Sequence, residues 1–338
     1  MRPIFHAELV NGPFGDPGVL VDLKFERRAL LFDVGDVRAL PTRKLLRISD
    51  VFVSHTHMDH FAGFDHLLRV CLGRDNGVRI YGPPGFIAQL EHKLAAYTWN
   101  LVGSYATDFV ITAHEIDAAG RIARARFRSR ARFVREPADA WPARADVLLD
   151  EAQFRVRCRA LEHHDIVSLA YSFEEGVHVN VWKDRLEALQ VPTGPWLTEL
   201  KRLVRSGAAD DTPVVARWRT RAGPCERRFV LGDLKRQVLE FLPGQKVCYV
   251  TDVGGGESNL AHLREFVRDA DLLFIEAVFL DADREIALRK AHLTARAAGE
   301  VARAARVKSA RPFHFSPRYL GRDAELRAEF AAAWGGTP

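Results

Sequence analysis

The sequence predicts an α/β sandwich, in which helices cover the outer faces of two β-sheets. Its 338 residues are 47% hydrophobic and 28% charged, which is typical of a globular protein with a buried core. Short apolar runs typical of strands occur in clusters and are followed by stretches with helical spacing. No period repeats along the chain and no linker-like segment divides it. We therefore expect one domain over residues 1–338 with an insertion.

The expected elements follow from local patterns in chain order. Strands are expected at residues 18–25, 29–34, 50–54, 155–161, 166–173, 246–251, 270–276 and 311–315, where apolar residues alternate or form short runs. Helices are expected at residues 84–97, 259–268, 294–306 and 323–334. The first of these follows a Gly-Pro-Pro turn, and Thr294 is a suitable N-cap for the alanine-rich third helix.

The composition excludes several classes of protein. The longest apolar runs, such as residues 271–280, contain charged residues and are too short to span a membrane. The first residues lack the apolar core and cleavage site of a signal peptide. The four cysteines form no C-x-x-C pair, so we expect neither disulfides nor a thiolate metal site. These observations predict a cytoplasmic protein that has no membrane partner.

An arginine-rich segment is a candidate RNA-binding surface. The net charge of +5 does not identify a partner, but residues 121–135 contain seven arginines. If this segment is a strand, alternate side chains share one face and form a row that can contact RNA phosphates. The row consists of Arg124, Arg126, Arg128, Arg130 and Arg132. The alternative is the solvated outer face of an edge strand.

The strongest signal is a group of histidines directly after the apolar residues 51–53. His55, His57, Asp59 and His60 lie within six residues at the expected end of a strand. His55 and His57 point to one side of an extended backbone, whereas Asp59 and His60 come one turn later and can face a second metal. Imidazole and carboxylate ligands suit Zn²⁺ or a similar first-row metal. We therefore predict a metal site here instead of a chance cluster of surface histidines.

The pattern His55-x-His57-x-Asp59-His60 resembles the signature of the metallo-β-lactamase superfamily, whose fold is an αββα sandwich. Three further segments resemble those of its ribonuclease Z family. Residues 164–171 resemble the motif H-x-x-P-S-x-G-Y, with Val167 and Ala170 as departures, and this register selects His164, not His163. Residues 249–252 resemble the strand end that carries a bridging aspartate, here Asp252. Residues 314–319 resemble H-F-S-x-R-Y and include His314 and Arg318.

This resemblance implies a centre of two divalent metal ions, with Zn²⁺ expected and Mn²⁺ or Fe²⁺ as alternatives. The implied ligands are His55, His57 and His164 for one ion, Asp59, His60 and His314 for the other, and Asp252 between both. Residues 276–279 and 292–294 resemble two more ribonuclease Z motifs. They imply that His292 protonates the leaving oxygen, that Glu276 orients His292, and that Asp59 helps to position the attacking water. The alternative for His292 is a polar residue just before the N-cap Thr294.

Residues 176–211 resemble the inserted helical arm of ribonuclease Z, with Gly194 and Pro195 between two helical stretches. The resemblance implies that this arm is an exosite that grips tRNA, and Arg318 is a further candidate for contacting the substrate. The alternatives for the arm are a helical hairpin packed on the body and a dimer contact. A homodimer is therefore a further possible assembly.

The implied function is hydrolysis of the 3′ trailer of tRNA precursors by a metal-dependent endoribonuclease, with RNA as partner. Loops around the substrate depart from the family pattern, for example at Val253 after Asp252. A superfamily hydrolase of a small phosphodiester or ester is therefore a second hypothesis. A non-catalytic RNA-binding scaffold is a third.

Overall fold

The computed structural model describes residues 4–24, 26–75, 77–117, 119–138, 146–220 and 223–336. The chain divides into two compact units. Unit 1 consists of Met1–Leu149, Val156–Phe173 and Lys246–Pro338, and unit 2 of Asp150–Arg155 and Glu174–Gln245. Unit 2 is therefore inserted in the chain of unit 1.

The first part of unit 1 forms an eight-stranded sheet whose strands are neighbours in chain order. The strands are β1 (Phe5–Leu9), β2 (Val19–Leu23), β3 (Arg28–Phe32), β4 (Ile48–Phe52), β5 (Gly77–Gly82), β6 (Val110–Ile116), β7 (Ile122–Arg128) and β8 (Arg135–Pro137). Strands β3 to β6 run parallel, and the outer strands pair antiparallel.

Four helices pack on one face of this sheet. They are α1 (Thr42–Leu45), α2 (Met58–Phe61), α3 (Phe64–Cys71) and α4 (Phe86–Ala95). Alternate strand residues such as Leu31, Val51 and Ile80 form one buried cluster with apolar side chains of these helices. Since side chains alternate across a strand, the residues between them face the other side, toward the second sheet.

The second sheet starts with β9 (Val147–Asp150), β10 (Phe154–His163) and β11 (Ile166–Glu175). Two residues, His164 and Asp165, join β10 to β11. His164 has a φ of 52°, in the left-handed region that tight two-residue hairpin turns require. The backbone therefore reverses at His164, and His163 is the last residue of the strand.

The described residues of unit 2 form four strands and three helices. They are β12 (His178–Val181), α5 (Lys183–Ala188), α6 (Trp196–Arg205), β13 (Pro213–Thr220), β14 (Gly223–Val230), α7 (Leu231–Gln237) and β15 (Leu239–Leu242). β12 pairs with β15 and β13 with β14, and a separate buried cluster that includes Leu186, Leu200 and Leu234 forms its core. Both helices expected within residues 176–211 are present, but the unit begins earlier and ends later than that range. The division into one domain and an arm stays a prediction.

The last part of unit 1 completes the second sheet with β16 (Lys246–Val250), β17 (Leu272–Glu276) and β18 (Ala310–Phe313). The strand order is β18-β17-β16-β11-β10-β9, and β16, β17 and β18 run parallel. The remaining helices are α8 (Glu257–Phe266), α9 (Arg284–Arg289), α10 (Ala295–Ala304) and α11 (Asp323–Trp334). Their apolar residues share a buried cluster with this sheet.

Aromatic side chains fill the space between the two sheets of unit 1. Tyr171 of the second sheet lies 5.8 Å from Phe32 and 5.5 Å from Phe52 of the first, measured between ring centroids. The predicted α/β sandwich with helices outside two sheets is therefore confirmed. None of the helices in the described part of the chain combines the length and hydropathy that a membrane span requires.

Candidate metal centre

Charged side chains and histidines gather where several strands of unit 1 end. Strand β4 is followed by residues 54–60, β16 by Asp252 and β18 by His314, and β10 and β17 end at His163 and Glu276. Because parallel strands of one sheet end at the same edge, the fold brings residues far apart in sequence to one place.

One cluster consists of His55, His57, His163 and Asp252, whose ligand atoms all lie within 4.8 Å of one another. The Asp252 Oδ2 atom is 3.6 Å from His55 Nε2 and 3.5 Å from His163 Nε2. His55 and His163 are buried, whereas His57 is exposed. Three imidazoles and a carboxylate at these distances can hold a tetrahedral metal ion.

A second cluster lies beside the first and consists of Asp59, His60 and His314. The other oxygen of Asp252, Oδ1, is 3.2 Å from His60 Nε2 and 3.1 Å from His314 Nδ1. The two carboxylate oxygens of Asp252 thus face different clusters. This is the arrangement that a carboxylate bridging two metal ions requires.

The structure places His163, and not the predicted ligand His164, in the first cluster. Leu161 and His163 are both buried, as expected for alternate residues of β10, and Glu162 between them is exposed. His164 lies in the turn, with an exposed side chain at the mouth of the site. The motif register favours His164, whereas the alternation along β10 favours His163.

The residues present fit a pair of divalent metal ions. Three imidazole nitrogens of this centre are buried and make no hydrogen bond with any described residue, namely His55 Nε2, His60 Nε2 and His314 Nδ1. Buried polar atoms are seldom left without a partner. Two imidazoles of the centre are held through their Nδ1 atoms. His60 Nδ1 lies 2.8 Å from Asp33 Oδ2, and His163 Nδ1 lies 2.9 Å from the carbonyl oxygen of Ala291. Such contacts orient metal-binding imidazoles.

Asp33, which was not predicted from the sequence, supports the centre through buried hydrogen bonds. Its buried carboxylate accepts hydrogen bonds from the backbone N–H of Ser54 at 2.6 Å, the Ser54 hydroxyl at 2.7 Å and the Tyr249 hydroxyl at 2.8 Å. Together with His60, four groups from three chain segments converge on one side chain. The only available signal was an aspartate directly after the buried strand β3.

His292 and Glu276 form a pair at the edge of the second cluster. The Glu276 Oε2 atom lies 3.0 Å from His292 Nδ1, and the carboxylate also accepts backbone N–H groups of Asp252, Val253 and Leu293. These bonds occupy the Glu276 oxygens, so the carboxylate is better placed to orient His292 than to bind a metal. Ligand atoms of this pair also lie within 4.8 Å of those of Asp252 and His314.

The electrostatic environment shifts the pKa values of the residues of the centre in different directions. Burial, together with the charge of His60, lowers the pKa of His55 to about 2, so this imidazole is neutral and ready to bind a metal. Burial alone would lower the pKa of His60, but Asp252 and Asp33 raise it to about 10. For Glu276, burial opposes ionisation, and the charge and hydrogen bond of His292 nevertheless lower its pKa to about 2. Burial alone would lower the pKa of His292, but the charge and hydrogen bond of Glu276 outweigh it and raise this pKa.

A cleft of about 360 Å³ opens onto the centre. Its lining includes members of both clusters, His292 and the predicted ligand His164, together with residues outside the predicted set. These further residues include Val278, Phe279, Lys290, Phe315, Ser316 and Pro317. A substrate in this cleft would reach the metal ligands and His292 at the same time.

The predicted row of five arginines is only partly formed. Strand β7 ends at Arg128, a short 3₁₀ turn follows, and Arg132 has a φ of 57°. The row breaks here because Phe133 turns into the core. Arg128 pairs with Asp108 at 2.5 Å, and Arg130 donates to the carbonyl of Tyr105 at 3.0 Å. Arg126 is exposed and Arg124 is half-buried.

The other predicted substrate-binding residues are divided between the two units. Arg318 of unit 1 pairs with Asp283 at 3.3 Å and lies over the ring of Phe279. Gly194 and Pro195 precede α6 in unit 2. A cavity of about 370 Å³ in that unit is lined by residues that include Trp182, Lys183, Thr193 and Lys201.

Comparison with known proteins agrees with this fold. Residues 19–163 and 228–315 match the sequence model of the beta-lactamase superfamily domain, which is the class that the sandwich and the paired ligand clusters define. The chain is 30% identical to ribonuclease Z of Deinococcus radiodurans over 307 residues, covering 90% of this chain and 86% of that protein. It is 27% identical to ribonuclease Z of Methanothermobacter thermautotrophicus over 314 residues, covering 91% and 84%. The chain belongs to the ribonuclease Z family of the beta-lactamase superfamily, and it is a metal-dependent hydrolase.

Two solved structures share the fold. The short form of human tRNase Z superposes with a TM-score of 0.50 at 19% identity, covering 94% of this chain and 93% of that one. The metallo-beta-lactamase fold protein YhfI from Bacillus subtilis gives a TM-score of 0.54 at 16% identity, covering 98% and 93%. At these identities the likeness concerns the fold alone.

Proposed function

We propose that this chain is an endoribonuclease that removes the 3′ trailer of tRNA precursors, with two zinc ions in its centre. The observation that carries the proposal is the pair of ligand clusters that share Asp252 and lie beside the His292–Glu276 pair. The relatives named ribonuclease Z support RNA as the substrate. Histidine and carboxylate donors without thiolate suit zinc, and Mn²⁺ or Fe²⁺ fits the same donors.

The proposed ligands are His55, His57 and His163 for one ion and Asp59, His60 and His314 for the other, with Asp252 between them. Two divalent ions held by these residues would lower the pKa of a water molecule and neutralise charge on the phosphodiester oxygens. The side chain of Asp59 is 45% exposed, so its carboxylate can accept a hydrogen bond from the attacking water. Its pKa is lowered to about 2, because the hydrogen bond of His314 and the charge of His60 outweigh burial, so it is ionised at neutral pH.

His292 is the proposed general acid that protonates the leaving oxygen. Glu276 binds its Nδ1 atom and thereby stabilises the imidazolium form, which has a proton to give. Nε2 of the same ring is then the atom that delivers the proton. Glu276 acts as a positioning residue, because its own oxygens are occupied by His292 and the backbone.

Unit 2 is proposed to bind the tRNA body through residues 176–211. Trp182, Lys183 and Lys201 line one cavity in this unit, and an aromatic ring together with ammonium groups suits a nucleic acid. Trp182 is 41% exposed, although its ring is large and apolar. Residues of α5 and α6 line this cavity, and Gly194 and Pro195 lie between these two helices in the chain.

The direct test is cleavage of a tRNA precursor with a 3′ trailer by the Zn²⁺- or Mn²⁺-loaded protein, with mature tRNA and bis-p-nitrophenyl phosphate as comparison substrates. We expect release of the trailer, no cut in mature tRNA and slower hydrolysis of the ester. Hydrolysis of the ester without trailer release would contradict the RNA substrate. Tight RNA binding without hydrolysis of either substrate would instead indicate a scaffold.

His292→Ala is the matched test of the proton donor. We expect a lower kcat on the tRNA precursor at an unchanged metal content, because His292 is not among the proposed ligands. Loss of metal in this variant would contradict the assigned role.

A further inference from the structure

We propose that the ammonium group of Lys290 binds an RNA phosphate next to the scissile bond, at the mouth of the cleft over the metal centre. This inference rests on the proposed function, since it requires an RNA substrate. Lys290 directly follows helix α9 and lines the cleft together with His57, His292 and His314. It is exposed, so a ligand can reach its ammonium group from solvent.

The backbone that carries Lys290 is held by the hydrogen bonds that end α9. Ala291 has a φ of 52°, and the N–H groups of Ala291 and His292 donate to carbonyls of α9 at 3.1 and 2.9 Å. This is the Schellman pattern of a helix end. The carbonyl of Ala291 also holds His163 at 2.9 Å. The segment 290–292 thus places the Lys290 backbone at a fixed position relative to both a metal ligand and the proposed proton donor.

The negative charge of an incoming RNA strand favours a cation at this position. Asp59 and Asp252 also line the cleft, but they are assigned to the metal ions. Among the described lining residues, Lys290 contributes the one ammonium or guanidinium group. Arg318, on the segment after β18, is engaged by Asp283 at 3.3 Å.

The ammonium group of Lys290 has no ion-pair partner among the described residues. No carboxylate of the residues described by the structure lies within ion-pairing distance of its ammonium group. A lysine acts as a compact point charge on a flexible stem, which suits contact with a single phosphate. The observed placement therefore fits an external anion better than a structural ion pair.

The phosphate in question is a flanking one. The scissile phosphodiester belongs at Asp252, where the two ligand clusters meet, whereas Lys290 makes no ion pair with the carboxylates of the centre. Lys290 then contributes to binding of the RNA strand and takes no part in proton transfer. Bis-p-nitrophenyl phosphate has a single phosphate, so its hydrolysis does not depend on this contact.

The test compares Lys290→Ala with Arg289→Ala in kinetics on the tRNA precursor and on the ester. Arg289 is the exposed neighbour at the end of the same helix and does not line the cleft. We expect Lys290→Ala to raise KM for the precursor about tenfold and to reduce the salt dependence of log(kcat/KM) by about 0.7, the value for one phosphate contact on a single strand. Metal content and ester hydrolysis should stay unchanged. Lys290→Arg should restore most of the precursor KM, and Arg289→Ala should behave like the wild type.

Unchanged KM and salt dependence in Lys290→Ala, with a wild-type enzyme that releases the trailer, would overturn the role of Lys290 and leave the proposed function standing. Equal losses on precursor and ester, or equal effects of Arg289→Ala, would overturn it as well. A wild-type protein that leaves the precursor uncut would overturn both proposals.

Discussion

The metal centre of unit 1 and the helical segment of unit 2 use charge in opposite ways. In the centre, buried groups such as Asp252, Glu276 and His60 are held by one another over long sequence distances. In the helical segment of unit 2, exposed charged groups pair locally, as Arg202 does with Glu199 three residues away. Buried, mutually held groups are suited to chemistry, whereas exposed groups are suited to contact with a large partner. Substitutions in the centre should therefore affect every substrate, and those in unit 2 only the RNA.

The largest effect is expected for Asp252→Asn, because this side chain faces both clusters. We expect kcat on the tRNA precursor and on the ester to fall by about 10³-fold or more, with loss of bound metal. Steady-state kinetics and metal analysis measure this. Asp269→Asn is the matched control, because Asp269 also has a positive φ but forms an exposed pair with Arg306. Activity retained by Asp252→Asn would mean that the centre is not shared.

A smaller effect on the same centre is expected for Asp33→Asn. An amide cannot accept from four donors, so the orientation of His60 is loosened. We expect a loss of metal affinity of about 10- to 100-fold, measured by titration with a competing chelator. Tyr249→Phe removes a single donor to Asp33 and should cost less. A metal affinity equal to that of the wild type in a folded Asp33→Asn protein would show that metal binding does not need the hydrogen bonds of Asp33.

The double variant Trp182→Ala/Lys201→Ala tests the other side of the comparison. We expect kcat/KM for the tRNA precursor to fall about tenfold, since one base stack and one phosphate contact are lost. Hydrolysis of bis-p-nitrophenyl phosphate should not change. Arg202→Ala is the control on the same helix, since this arginine is already paired. Parallel losses on both substrates would indicate that this region of unit 2 is structural.

The smallest effect is expected in the arginine-rich strand β7. Arg126 is exposed, whereas Arg128 is engaged by Asp108. If this strand contacts RNA, Arg126→Ala should weaken precursor binding about threefold and lower its salt dependence, and Arg128→Ala should do less. Equal binding by the wild type and Arg126→Ala would favour a solvated sheet face that has no role in RNA binding.

The same contrast explains what could be predicted from sequence. The ligands at positions 55–60 were predictable because they are close in sequence and follow an apolar strand. Asp33 was not, because its partners Ser54 and Tyr249 lie 21 and 216 residues away. In unit 2, the hairpin β13–β14 was missed because charged residues such as Arg217 and Arg219 interrupt its apolar alternation.

His163 shows where a motif and a physical pattern disagree. Counting along the motif favoured His164, but the alternation of Leu161, Glu162 and His163 along β10 directs His163 inward. His164 lies in the turn between β10 and β11, and only the folded hairpin reveals that turn. The chemistry of the site was predictable, whereas the choice between two adjacent histidines required the backbone.

The most direct test of the central claim is the number of divalent ions bound per chain in the wild type, His163→Ala and His164→Ala, measured by elemental mass spectrometry after zinc loading. The two-cluster centre predicts two ions for the wild type and for His164→Ala, and a loss of metal for His163→Ala. One ion or none in the wild type, or metal lost from His164→Ala but kept by His163→Ala, would contradict it.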